Sequence, residues 1–230
     1  MSKIGRIAVV TGVKEEADAL LPDRVAERHD SPLGPVRKVD HCGKQIAILC
    51  SGIGKVHAAA AAMYMYQHCQ PDLFLVIGTA GQVSAIEGDC FYLHQSLQAD
   101  YGTLNNSTGN AGFTHYNAGA WPIGPADWSP FAALAIPPAL DLPLARIATA
   151  DCFVKCPERS GYLRDELNAD LVDMETAAVA QVAHLLDLPW AAIKATTDKA
   201  DGDSSGDFHK NLTRSATRAA NAAAQFIQLL

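Results

Sequence analysis

Basic side chains are in short supply. The 230-residue chain has 18 Lys and Arg against 25 Asp and Glu, a net charge of −7, and it forms no basic run. That balance argues against a non-specific grip on nucleic acid or on an anionic membrane, both of which need concentrated positive charge. Six cysteines, Cys42, Cys50, Cys69, Cys90, Cys152 and Cys156, are scattered with no C-x-x-C pair, so structural zinc is not expected and buried free thiols are. The eight histidines show no H-E-x-x-H or related spacing, so neither a metal nor a cofactor is expected. No apolar segment reaches the roughly 18 residues of a membrane helix. No signal-peptide pattern precedes the first apolar run, which places the chain in the cytoplasm by expectation.

What is present has the composition of a folded core, with 49% hydrophobic and 19% charged residues. Ile7-Ala8-Val9-Val10 runs into Thr11-Gly12 and then into the helix formers Lys14 to Leu20. Gln45 to Cys50 leads through Ser51-Gly52-Ile53-Gly54-Lys55 to an Ala-rich helix from about His57 to Gln67. Leu73 to Ile77 ends in Gly78-Thr79-Ala80-Gly81, and regular structure returns at Arg146 to Asp151. Repeated strand-turn-helix units predict one α/β domain over 1–230, with a mixed, largely parallel and partly barrel-like sheet flanked by helices on both sides. An irregular insert interrupts it at about 99–144, where Gly, Asn, Pro and the aromatics Phe113, Tyr116 and Trp121 collect. A segment of this kind is functional or a surface insert. A closing helix is expected from roughly Thr213 to Leu230, with Ala216, Ala219, Ala220, Ala223 and Phe226 on its packing face.

Two acidic residues occupy informative positions. Glu175 opens a helix whose Val179, Val182, Ala183 and Leu186 share one face, and Asp198 follows the short apolar strand Trp190 to Ile193. Open parallel sheets bind ligands at the carboxyl ends of their strands, which is where both residues would lie. A Met-Glu pair there can grip a sugar diol, and an Asp can hand a proton to a leaving base. Taken alone, Glu175 reads equally well as an acid favoured by the helix dipole, as do Glu15 and Glu16 after the Gly12 turn. Ser51-Gly52-Ile53-Gly54-Lys55 lacks both the phosphate-loop spacing and the third glycine of a dinucleotide site, so it reads first as tight strand-helix packing.

The motifs Gly12-Val13-Lys14-Glu15-Glu16-Ala17, Ser51 to Ala59, Gly78-Thr79-Ala80-Gly81, Asp151-Cys152-Phe153, Val172 to Ala178 and Thr197-Asp198 occur in that order across almost the whole chain. In this the chain resembles the nucleoside phosphorylase/nucleosidase superfamily, and within it the methylthioadenosine/S-adenosylhomocysteine nucleosidases. The resemblance implies hydrolysis of the N-glycosidic bond of 5′-modified adenine nucleosides, with release of adenine. It implies that Glu16 deprotonates the attacking water and Asp198 protonates N7 of the departing base. Met174 and Glu175 would hold the ribose, Phe153 would stack on the purine, the Val154 backbone would contact its edge, and Thr79 would line the ribose and water site. Lys194 stands where the family carries Arg, beside Glu175, and Gln82 breaks a strand-end glycine pair. A homodimer is implied, with the partner subunit helping to form the pocket for the 5′ substituent. A phosphate-dependent purine nucleoside phosphorylase and a non-catalytic nucleoside binder are the other readings.

Overall fold

A computed structural model describes residues 4–24, 27–104, 113–124, 128–201 and 204–230. Met1 to Lys3 and the Asn105 to Gly112 part of the predicted insert lie outside the described residues. In chain order the elements are β1 (Arg6–Thr11), α1 (Lys14–Ala19), β2 (Glu27–His29), β3 (Val36–His41), β4 (Lys44–Cys50), α2 (Lys55–Cys69), β5 (Leu73–Gln82) and β6 (Cys90–Gln98). They continue as β7 (Gly102–Leu104), β8 (Phe113–His115), β9 (Phe131–Ala132), β10 (Leu144–Thr149), α3 (Pro157–Leu167), β11 (Leu171–Asp173), α4 (Thr176–Leu185), β12 (Trp190–Asp198) and α5 (Ser204–Leu229).

The sheet is mixed and closes partly on itself. β5 pairs β12 in parallel, β12 pairs β6 antiparallel, and β6, β10 and β11 follow in parallel. β11 then returns antiparallel to the end of β5. From the other stretch of the same β5 edge the sheet continues through β1, β4, β3 and β2. Within 99–144, β7 and β8 form a separate two-stranded sheet and β9 adds to β6.

Both faces of the long sheet are covered, which is why its strands read as unbroken apolar runs. Alternate residues of β5 go to opposite sides. Phe74 and Val76 pack with Ala58, Ala61, Ala62 and Met65 of α2 and with Val179, Val182 and Ala183 of α4. Leu73, Leu75 and Ile77 pack with Ala17 and Leu20 at α1 and with Ala219, Ala223, Phe226 and Ile227 of α5. Small residues on α2 and α5 let these helices lie close to the strands.

Three predicted boundaries move. β12 does not stop at Ile193 but runs on to Asp198, which is its last residue. α5 begins at Ser204, well before the expected Thr213. α4 ends at Leu185, so Leu186, expected on its packing face, is the cap that follows it. The cysteines are free as expected, but burial holds only for Cys90, whereas Cys42, Cys152 and Cys156 are exposed. Among the described residues no helix is long and apolar enough to cross a membrane.

α1 has only six residues, too few to be stable without outside support. Arg37 on β3 provides it from the C-terminal end. Its Nη1 donates to the Leu21 carbonyl at 3.1 Å, and its Nη2 donates to the Ala17 carbonyl at 2.9 Å and also to the Leu20 carbonyl. Arg37→Ala should therefore cost about 2 kcal/mol, the scale of losing hydrogen bonds to a charged group. Thermal unfolding should show this as a Tm lower by roughly 4–8 °C; an unchanged Tm would mean that water replaces the guanidinium at no cost.

Candidate active site

The site lies where β5 changes partners. Leu73 to Val76 pair with Ile7 to Val10 of β1, and Gly81 and Gln82 pair with Val172 and Leu171 of β11. Between these pairings, residues 77–80 leave that edge of β5 open. β1 and β11 diverge there, and such a divergence is where α/β sheets form their binding crevice.

Glu16 of α1 reaches into this gap. Its Oε1 accepts from the Thr79 amide at 2.8 Å and from Thr79 Oγ1 at 2.9 Å. Its Oε2 accepts from the Gly12 and Val13 amides at 3.0 and 3.2 Å. The carboxylate is buried, and a Cβ on Gly78 would stand only 2.6 Å from it, so only glycine leaves room for it. Glu15, its neighbour, faces solvent.

Glu175 follows β11 and opens α4. Its Oε1 accepts from the Gly54 amide at 3.1 Å, and its carboxyl lies 3.1 Å from where a Gly12 Cβ would be. The Ser51 to Lys55 loop thus serves more than packing, because its last glycine holds an acid from 121 residues away. Beneath Glu175 lies Lys194 of β12, with only 1% of its side chain exposed. Lys194 Nζ is 3.0 Å from Asp173 Oδ2 and 3.9 Å from Glu175 Oε2. Asp173 also accepts from Thr149 Oγ1 at 2.6 Å and from the Thr176 amide at 3.0 Å. Burial raises the Glu175 carboxyl above its ordinary range, opposed by Lys194 and reinforced by Asp173 and Glu16. Burial also works against the Lys194 charge, but Asp173, Glu175 and Glu16 outweigh it and hold the ammonium proton more tightly than usual.

Asp198 completes the set. The pairing of β12 with β5 slips between Thr196 and Asp198, and this irregularity aligns Asp198 with Gly81. Asp198 Oδ2 accepts from Thr197 Oγ1 at 2.8 Å and Oδ1 from the Ala200 amide at 2.9 Å. The side chain is buried with its carboxyl against Gly81.

Glu16, Thr79, Phe153, Val154, Met174, Glu175 and Asp198 all line one cleft of about 580 Å³, its open mouth included. Lys194 does not. It supports the floor from below instead of facing a ligand. Phe113, Tyr116 and Trp121 also lie off this wall, and Trp121 is exposed.

Several wall residues had no role in the sequence reading. Phe208 of α5 meets Phe153 edge to face, with ring centroids 5.8 Å apart. Composition alone does not point to it, because the helix that carries it starts earlier than its composition indicates. Val13 and Ile53 add apolar wall beside the glycine turns, and Asp173 adds a further acid. The charged side chains on the wall are Glu16, Asp173, Glu175 and Asp198, and no Lys, Arg or His joins them among the described residues. Nor, among the described residues, do three or more His, Cys, Asp or Glu side chains converge to hold a metal ion.

Comparison with known proteins gives the same architecture. The family model of the phosphorylase superfamily matches residues 6–228. A mutant 5′-methylthioadenosine nucleosidase from Helicobacter pylori, solved with 5′-methylthioadenosine in its active site, is 24% identical with a TM-score of 0.83, covering 98% of this chain and 99% of that one. The 5′-methylthioadenosine/S-adenosylhomocysteine nucleosidase of S. pneumoniae, solved with a transition-state inhibitor, is 22% identical with a TM-score of 0.83, covering 97% and 99%. Futalosine hydrolase of Helicobacter pylori matches as well, at 24% identity and a TM-score of 0.83, covering 99% of each chain. With the family model spanning nearly the whole sequence and the same fold in all three structures, this chain belongs to the phosphorylase superfamily.

Proposed function

We propose that the protein hydrolyses the N-glycosidic bond of adenine nucleosides modified at the 5′ position, such as methylthioadenosine and S-adenosylhomocysteine, and releases adenine. The observation that carries this reading is the meeting of Glu16, Glu175 and Asp198 on one cleft with no basic side chain on its described wall.

As the C1′–N9 bond breaks, its electron pair goes to the base and the sugar becomes positively charged. Asp198 delivers a proton to N7, so adenine leaves as a neutral molecule. Glu16 takes a proton from the water that adds to C1′, and the second product is the free sugar. Glu175 accepts hydrogen bonds from the ribose hydroxyls, with Met174 packed against the ring. The same carboxylate stabilises the positive sugar as it forms, an effect strengthened in a site from which water is largely excluded. Phe153 offers a face to the purine, braced by Phe208, while the Val154 backbone meets the purine edge and Thr79 fixes Glu16. Lys194 holds Glu175 and Asp173 from below; as a point charge it needs no forked geometry to do so.

Phosphorolysis would need donors for an anionic co-substrate, normally Arg or clustered backbone amides. Here the Gly12 and Val13 amides are taken by Glu16, and the Gly54 amide by Glu175. This supports water as the nucleophile. Exposed Ile53, Val56, Met63 and Tyr66, in and just before α2, support the homodimer, since they offer apolar surface, of which Ile53 also lines the cleft. Six free thiols are in keeping with a cytoplasmic setting.

The decisive assay is a panel of 5′-substituted adenosines and inosines, with futalosine included, each with and without phosphate. Adenine should appear from the 5′-thio adenosines at a rate that phosphate leaves unchanged; product that requires phosphate or arsenate would establish a phosphorylase, and ligand-induced stabilisation without product a binder. Asp198→Asn should lower kcat on the order of 10²-fold or more, the usual effect of removing a general acid. Near-normal turnover would remove Asp198 from that role. Gly78→Ala should displace Glu16 and lower kcat on the order of 10²-fold, the scale of a misplaced catalytic group. Substrate affinity should change much less, so a selective rise in KM would contradict this assignment of Glu16.

A further inference from the structure

At the surface next to the cleft wall, three segments distant in sequence are tied by a closed ring of hydrogen bonds. The Lys55 amide donates to Asp151 Oδ1 at 2.7 Å. Lys55 Nζ donates to Asp100 Oδ1 at 2.5 Å and to Gln98 Oε1 at 3.1 Å. The Asp151 amide closes the ring on Asp100 Oδ2 at 3.0 Å. The Lys55 and Asp100 side chains are only 19% and 29% exposed, so the pair is better shielded than a free surface ion pair.

The position of the ring gives it significance. Lys55 begins α2 immediately after Gly54, whose amide holds Glu175. Asp151 immediately precedes Cys152, Phe153 and Val154 on the cleft wall. Asp100 stands just past the end of β6, a strand of the barrel. The segment carrying Phe153 lies outside any helix or strand, and Phe153 itself is 45% exposed. Burial of that side chain therefore does not fix its place, whereas Asp151, two residues earlier, is fixed through both its amide and its carboxylate. The approach is tight, since a Cβ on Gly54 would stand 3.2 Å from Asp151 Oδ1.

We infer that Lys55, Asp100 and Asp151 form a positioning device that sets the spacing between the purine-stacking segment and the loop that holds the ribose-binding Glu175. The inference rests on the nucleosidase reading and adds residues that touch neither substrate nor the reacting atoms. Base and sugar are then gripped at a fixed separation, so releasing the ring weakens binding of the base more than it slows the bond-breaking step.

The test uses the full chain with Lys55→Met, Lys55→Arg and Asp100→Asn. KM and kcat are measured with 5′-methylthioadenosine, the Kd of free adenine by calorimetry, and Tm by thermal unfolding. Lys55→Met and Asp100→Asn should raise KM and the adenine Kd about tenfold, the equivalent of one charge-assisted hydrogen bond. The kcat should stay within about threefold of wild type, as expected for a loss confined to binding. Lys55→Arg should restore KM and the adenine Kd. Unchanged KM and adenine Kd in both charge-removing variants would overturn the inference, and so would a fall in kcat at constant KM. Asp100→Asn keeps the side-chain shape and serves as the test if Lys55→Met does not fold. Absence of adenine release from any nucleoside by the wild-type protein would sink the nucleosidase reading, whereas normal wild-type release with unaffected variants would sink the ring alone.

Discussion

Four acidic side chains share the wall of one small cleft, and the fold around them is arranged to keep them there. Burying a charge is tolerable only when partners replace the water it loses. Glu16 is held by four donors, three of them backbone amides. Asp198 has a hydroxyl and an amide, and Glu175 has an amide above and an ammonium below. Asp173 and Lys194 form the closest ion pair of the set, at 3.0 Å. Removing the Lys194 charge would leave Asp173 and Glu175 without their buried counter-ion, so this one side chain bears on the whole floor.

The barrel-like closure supplies the Thr79 amide. If β1 had stayed paired with β5 to its end, the Thr79 amide would be spent on the ladder and the crevice filled. Because β5 hands its edge from β1 to β11, the amide is free to bind Glu16, and the ends of β5, β11 and β12 surround one space. Glycines then set how closely each acid approaches the backbone. Gly78 faces Glu16, Gly12 faces Glu175, and Gly81 faces Asp198, all with carboxyl atoms within about 3.1 Å of where a Cβ would stand. A methyl group at any of the three would push an acid toward the cleft centre.

Much of this was legible in the sequence, for a physical reason. Strands covered on both faces must be continuously apolar, so β1, β4 and β5 stand out as runs, and glycine turns mark where each ends. The acids were legible through motifs that keep their order along the chain. The end of β12 was not, because Lys194, Thr196, Thr197 and Asp198 are polar and read as loop. They continue the strand because partners meet them from elsewhere: Lys194 has Asp173, the Thr196 carbonyl accepts from Ser215 Oγ, and the Thr197 carbonyl accepts from Asn211 Nδ2. Those partners come from β11 and α5, and local spacing carries no trace of them. Phe208 was hidden likewise, since the first turns of α5 are polar and only tertiary placement brings that ring to Phe153.

The surplus of negative charge on the wall also bears on which ligands the cleft can take. With Asp198 set aside as the proposed proton donor, Glu16, Asp173 and Glu175 against one enclosed ammonium give a field that favours a sugar gaining positive charge and opposes phosphate or a nucleotide. That field does little for a neutral nucleoside before it reacts. In the proposed hydrolysis it acts most strongly as the glycosidic bond opens, which is when an interaction accelerates chemistry instead of merely tightening binding. Arginine at position 194 would spread its charge over a plane and could reach two carboxylates in bidentate fashion; lysine concentrates the charge on Asp173 and stands 3.9 Å from Glu175. Glu175 is therefore the less fully compensated of the two acids, which in the proposed reaction leaves it available to the ribose hydroxyls and to the charge that develops beside them.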